Sequence, residues 1–104
     1  MKTYTVRVRP SAARHLARIE ARLTAEADET IARAYVSAIL TRCFALDTFP
    51  ETGTLRDDLQ PGVRTISFRR KVVIAYAVEG EEVAILAIGW RGQEIATLLD
   101  AAGS

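Results

Sequence analysis

The residue type in this chain with the most chemical scope is arginine, and its placement is uneven. Arg69-Arg70-Lys71 is the densest local run of positive charge, and Arg64 and Arg91 stand at the ends of apolar runs. Such groups can stabilise a phosphate-like transition state or meet an acidic surface. Cleaving RNA through its 2′-hydroxyl also needs a base and an acid. Here the sequence is poor. The C-terminal segment Gly92-Gln93-Glu94-Ile95-Ala96-Thr97 holds no Tyr, His or Lys. The sole histidine, His15, falls on the polar side of a helical pattern beside Arg18 and Arg22 and reads as a solvated surface residue. Cys43 falls on an apolar stripe and reads as a buried structural thiol. One histidine and one cysteine 28 positions apart make no metal site. Gly89-Trp90-Arg91-Gly92 is too short to cradle a phosphate as a glycine-rich loop does. The residues therefore name no catalytic group, no metal and no cofactor.

What they do name is a set of candidate contacts to a target: Arg64, Arg69, Arg70, Lys71, Trp90 and Arg91. Each has a bland alternative. The Arg69–Lys71 tip can be a solvated turn that protects a sheet edge. Arg64 and Arg91 can pair with Asp57, Asp58 or Glu94, which contributes about 0–1 kcal/mol if exposed. Trp90 can cap the core or anchor a partner. Tyr4, Tyr35 and Tyr76 fall on apolar stripes and read as core.

The bulk properties bound the rest. With 104 residues, 49% hydrophobic and 26% charged, the chain suits one soluble globular domain over residues 1–104. Its formal net charge of +1 gives no global case for nucleic-acid binding, so any electrostatic role must come from local clusters. A single cysteine excludes an intrachain disulfide and fits a reducing compartment. No apolar run approaches the roughly 20 residues needed to span a membrane. Nor do residues 1–9, which alternate and carry charge, look like a signal peptide. The expected location is the cytoplasm.

The positioning elements follow from periodicity. Thr3–Arg9 alternates as a half-buried strand, with Tyr4, Val6 and Val8 on one face. Pro10 and Ser11 open a helix, with Ser11 as its expected N-cap and Ala12, Leu16, Ile19 and Leu23 as its apolar stripe; it should end near Leu23. A second helix should start around Ala25–Asp28 and bury Ile31, Tyr35, Ile39, Cys43 and Leu46. It stops before Pro50. Residues from Phe49 to Gly62 read as loop. Strands follow near Val63–Phe68, Val72–Val78 and Glu82–Trp90, turned at Arg69-Arg70-Lys71 and Glu79-Gly80-Glu81. The last two are apolar on both faces, so both faces of the sheet need cover. The helical hairpin covers one. A short last helix over Gln93–Leu99 is too small to cover all of the other, which leaves some apolar surface for a partner. The class is α+β: a helical hairpin packed on a small, mostly antiparallel four-stranded sheet, order β-α-α-β-β-β with a short C-terminal helix.

This order and its landmarks resemble the ParE/RelE superfamily of bacterial toxins. The carrying residues are the first strand running into Ser11-Ala12-Ala13; Leu16 and Ile19; Leu46-Asp47-Thr48-Phe49-Pro50 with Glu51-Thr52-Gly53; Pro61-Gly62-Val63-Arg64; Val73-Ile74-Ala75-Tyr76; Ile85-Leu86-Ala87-Ile88; and Gly89-Trp90-Arg91-Gly92. No single motif is specific, but their order covers about the full length.

The resemblance implies one of two activities. RelE-like members are ribosome-dependent endoribonucleases, and ParE-like members inhibit DNA gyrase by binding, without that catalytic set. By alignment, Thr97 and Val73 stand where the nuclease branch often has a tyrosine and an arginine, which favours the ParE branch. A ParE-like toxin implies growth arrest, plasmid maintenance and neutralisation by a cognate antitoxin. That partner has a DNA-binding N-terminal dimer and a disordered C-terminal arm, so complexes hold two or more toxins. A RelE-like messenger nuclease and a non-toxic co-repressor relative are the alternatives. No membrane and no sequence-specific nucleic acid is implied for the toxin itself.

Overall fold

A computed structural model describes residues 3–103; Met1 and Lys2, the start of the alternating run, lie outside the described residues. The order is β1 (Thr5–Val8), α1 (Pro10–Glu26), α2 (Glu29–Phe44), two single 3₁₀ turns (Ala45–Asp47 and Pro50–Thr52), β2 (Thr54–Leu55), β3 (Val63–Phe68), β4 (Val72–Glu79), β5 (Glu82–Trp90) and α3 (Ile95–Gly103). The class is the expected α+β, on a five-stranded sheet ordered β1-β5-β4-β3-β2. The fifth strand is β2. Two residues carry no readable period, so the sequence places it in a loop; only its pairing of Thr54 and Leu55 with Thr65 and Arg64 marks it. All pairings are antiparallel except β1 with β5, where Thr5 stands beside Glu82 and Val8 beside Ile85.

The helices begin and end for local reasons. Pro10 occupies the first turn of α1, where its missing N–H costs nothing. The helix therefore starts two residues earlier than a Ser11 cap would set it: Arg9 is the cap, with no side-chain bond. Ser11 instead donates its hydroxyl to the Leu86 carbonyl at 2.9 Å. Nothing in Thr24-Ala25-Glu26 breaks the helix, so α1 runs three residues beyond Leu23. Asp28 then caps α2, its carboxylate accepting from the Ile31 N–H at 2.8 Å. That register turns Ile31 outward, half exposed, and buries Ala32, Ile39 and Cys43. Leu46 is buried as expected but lies in the first 3₁₀ turn, beyond α2.

The sheet divides the interior. On one face α1 and α2 pack Ala12, Leu16, Ile19, Ile39 and Cys43 against Ile66, Phe68, Val72, Ile74, Tyr76, Val83, Ile85 and Ile88. Each fully buried Ile or Val among them stabilises the fold by about 1.5–3 kcal/mol. On the other face a smaller cluster joins Val63, Ala75, Ala87 and Leu99, flanked by Leu59, Leu86, Ile95 and Leu98. The expectation was that some apolar surface would stay open here, and little of it does. With α3 extending to Gly103 and Leu59 closing one side, only Val73, Ala77 and Leu86 stay half-buried on this face of β4 and β5. The large apolar side chains left most exposed are Ile31, Phe44, Phe49 and Leu55, all outside the sheet's second face.

A β-bulge and an unfinished edge shape β5. Tyr76 stands opposite Ile85 and Ala75 opposite Ala87, so Leu86 is an extra residue. Pairing with β1 ends at Ile85, where the Arg9 N–H donates to the Ile85 carbonyl at 3.0 Å before the chain turns into α1. Side chains of α1 then take over the ladder. Ser11 serves the Leu86 carbonyl, and the Ile88 N–H donates to His15 Nδ1 at 3.1 Å. A helix thereby satisfies backbone groups that a longer strand would have paired.

At the other end, Tyr76 ties down the Phe49–Gly53 loop. Its hydroxyl donates to the Pro50 carbonyl at 2.7 Å and accepts from the Gly53 N–H at 2.9 Å. A Cβ on Gly53 would lie 2.6 Å from that hydroxyl and 2.9 Å from the Thr65 carbonyl, so the loop can close only on glycine.

Candidate functional site

The candidate residues assemble at the end of the sheet where Phe68, Val72 and Trp90 stand side by side. Two tight turns meet there. The first joins β3 to β4: the Lys71 N–H donates to the Phe68 carbonyl at 3.0 Å, with Arg69 and Arg70 between them at φ 51° and 60°. Positive φ at both central residues is the type I′ hairpin turn, which favours Asn-Gly. Each arginine held there costs about 1–2 kcal/mol. The second turn runs from Trp90 to Gln93. The Gln93 N–H donates to the Trp90 carbonyl at 2.9 Å, and Gln93 Oε1 accepts from the Trp90 N–H at 3.0 Å. Gly92 at φ 96° supplies the left-handed residue this turn needs. The Arg91 N–H donates to the Lys71 carbonyl at 2.7 Å and locks the turns together.

Aromatic rings brace this end from below. Tyr35 of α2 meets Phe68 edge-on at 5.3 Å between centroids and Trp90 at 6.0 Å with the planes 31° apart. Arg69 lies over Phe68 at 4.8 Å and over Tyr35 at 5.5 Å; Arg22 of α1 lies over Trp90 at 5.1 Å. These contacts fix Arg69 and help hold its turn. The Tyr35 hydroxyl is buried with no hydrogen-bond partner among the described residues.

Between α1 and the second turn runs a cleft in two adjoining parts of about 450 and 480 Å³, which share Arg22, Trp90 and Arg91. The inner part reaches His15, Arg18 and Gln93; the outer part reaches Tyr35, Arg70, Lys71 and Glu26. His15 is 7% exposed, not solvated as its spacing suggested. Strand β5, arriving from the far end of the chain, covers the helix face that carries it. Burial first, then Arg18 and Arg14, lower its pKa, so the neutral ring is favoured. Since Nδ1 accepts from Ile88, the neutral ring carries its proton on Nε2.

Of the six expected contact residues, Arg69, Arg70, Lys71, Trp90 and Arg91 are brought together here. Arg64 is elsewhere, four residues along β3 from Phe68 or roughly 13 Å at the rise of a strand. Its Nη1 donates to the Gly53 carbonyl at 2.9 Å and the Glu51 carbonyl at 3.3 Å, not to Asp57, Asp58 or Glu94. Asp58 is held by Arg56 instead, and the Asp57 carboxylate accepts from the Gly62 N–H. Arg91 likewise pairs with no carboxylate among the described residues; its Nη1 lies 3.5 Å from the Arg70 carbonyl. Arg18, Arg22 and His15 join the cleft, although the sequence presents them as a solvated helix face and not as contacts. Their i, i+3, i+7 spacing is visible in the sequence, but what faces them is not.

The other reactive groups are structural. Cys43 is fully buried, and burial pushes its thiol pKa up to about 12. Burial also raises the Tyr76 pKa. Among the described residues no cluster of His, Cys, Asp or Glu suits a metal ion, and no helix is long and apolar enough to cross a membrane.

Comparison with known proteins agrees with this architecture. A family model described as ParE toxin of type II toxin-antitoxin system, parDE, matches residues 6–95. The chain belongs to that family. Among solved structures it is similar to a chain of the chromosomal ParDE toxin–antitoxin system from P. aeruginosa, with 25% identity and a TM-score of 0.75, covering 85% of this chain and 96% of that one. It also shares its fold with a chain of the toxin–antitoxin complex RelBE2 from Mycobacterium tuberculosis, at 23% identity and a TM-score of 0.63, covering 86% and 99% respectively. No curated protein matches the chain.

Proposed function

We propose that this ParE-family toxin arrests growth by binding DNA gyrase in the cytoplasm and stalling it, rather than by cutting RNA. The observation that carries this reading is the chemistry of the cleft. It gathers cations with no free base: the one carboxylate in its lining, Glu26, is paired with Arg22, the His15 Nδ1 is occupied by the Ile88 N–H, and the ring's other nitrogen bears a proton. A phosphodiester cleavage needs a group able to accept a proton from the attacking hydroxyl. Val73 and Thr97, at the positions resembling nuclease residues, carry none that ionises near neutral pH. Binding with positive charge needs no such group.

The cognate partner in this reading is an antitoxin with a dimeric DNA-binding end and a disordered arm that folds onto the toxin, giving assemblies with two or more toxins. The relation to the ParDE system of P. aeruginosa supports an antitoxin partner.

The test is induced expression of the chain alone, with a supercoiling assay on purified gyrase. Growth arrest, a DNA-damage response and inhibited supercoiling, all relieved by the neighbouring antitoxin, are expected. Translation-dependent cuts in messenger RNA with supercoiling intact would replace this reading with the nuclease one. Normal growth with soluble toxin would replace it with a co-repressor role.

A further inference from the structure

We propose that the cleft between α1 and the Trp90–Gln93 turn is a binding site for the phosphates of a nucleic-acid backbone, so that the toxin holds DNA directly. The inference takes its setting, a gyrase–DNA complex, from the reading above, but its chemistry stands on the cleft alone.

Three observations lead there. First, Arg18, Arg22, Arg70, Lys71 and Arg91 line the two parts of the cleft against one carboxylate, Glu26. Arg22 is paired with Glu26 at 2.9 Å, whereas Arg18, Arg70, Lys71 and Arg91 form no ion pair among the described residues. Like charges gathered without counter-ions repel one another, and an anion relieves that repulsion. Second, the cations are held in place by costly or buried structure. Arg70 sits in a left-handed backbone conformation, Arg91 is tied through its backbone to Lys71, and Arg22 lies over Trp90. Backbone strain of this kind tends to be held where a surface is used. Third, His15 opens onto the inner part with a proton on Nε2, adding a neutral donor to the row of cations.

A single carboxylate would answer one of these charges. The row extends through two adjoining hollows, which suits a ligand that repeats its negative charge along a chain. Arginine forks match phosphate oxygens in pairs. The contact would be to backbone and therefore indifferent to sequence. A net charge of +1 hides the site, because the surplus is local.

The experiment is fluorescence anisotropy of the purified full chain with a labelled 20-nucleotide DNA, single-stranded and duplex, between 50 and 200 mM salt, with polyglutamate as competitor. If about three phosphates are neutralised, affinity should fall roughly 40-fold over that range. The Arg18→Gln/Arg91→Gln variant should bind at least about tenfold more weakly with a salt slope smaller by about two, while Arg33→Gln on α2 should bind as the parent does. Absence of binding at low salt would overturn the proposal. So would a salt-independent affinity, an unchanged double variant, or displacement by polyglutamate as effective as by unlabelled DNA; the last would make the cleft a site for an acidic protein. The salt slope and competition need no variant, so they stand even if the double substitution unfolds. A toxin that stops supercoiling but binds no DNA defeats this inference and spares the gyrase reading. One that binds DNA and leaves supercoiling untouched does the reverse.

Discussion

His15 gives the fold a pH dependence that its neighbours dictate. Protonation would place a second donor on Nδ1 against the Ile88 N–H and a charge beside Arg14 and Arg18. The folded pKa is therefore below the unfolded value of 6.5, and the unfolded chain binds the proton first as pH falls. This stability is fully present above about pH 6.5 and is lost as pH drops through the folded pKa. The urea midpoint should fall between pH 7.5 and 5.5, and His15→Gln, whose amide oxygen can still accept from Ile88, should flatten that part of the curve. A parent midpoint constant across the range would refute the argument. Tyr76 makes a second residue-scale prediction. Tyr76→Phe strands the Gly53 N–H and the Pro50 carbonyl and should cost about 1–3 kcal/mol in chemical denaturation. Both residues were readable as types and as members of a stripe. Neither role was, because the partners lie 73 and 26 positions away at most and no period in the chain encodes them.

Elements were far more legible than partners. The helical hairpin, the three long strands and the last helix follow from periods of 3.6 and 2, which are local. What escaped was set by tertiary context: β2 exists only as a partner of β3, and the limits of α1 answer to Pro10 and Asp28. The candidate site splits in the same way. Arg69, Arg70, Lys71, Trp90 and Arg91 were found because they sit at turns, but the helix that completes the cleft was not. The β3–β4 turn can be tested for strain. Arg70→Gly relieves a left-handed side chain and gives back part of that gain as glycine's extra unfolded entropy. The net should be a stabilisation of up to about 1 kcal/mol, read as a rise of a few degrees in Tm; a fall would show that the turn is not strained. For α3, Leu99 is the buried centre of the second cluster. Leu99→Ala should cost about 2–5 kcal/mol by calorimetry or urea, whereas a near-neutral change would mean that α3 only rests on the sheet.

The molecule as a whole has nearly zero net charge, and its cations are unevenly placed. With five cations and one carboxylate along the cleft, the remaining surface carries more acidic groups than basic ones. Fields of this kind act locally, so a cation exchanger at pH 7.5 should retain the protein at higher salt than its +1 charge alone predicts. Elution in the void volume would contradict the asymmetry. The parallel seam between β1 and β5 has a different consequence, in time. Thr5 must wait for Glu82 before it has a neighbour. On the ribosome the first strand to be made is thus among the last to find its place, and α1 cannot seat Ser11 and His15 until β5 has emerged. Long-range closure of this kind is slow. A newly made chain therefore passes through an interval in which β5 is already present and β1 is not yet paired with it.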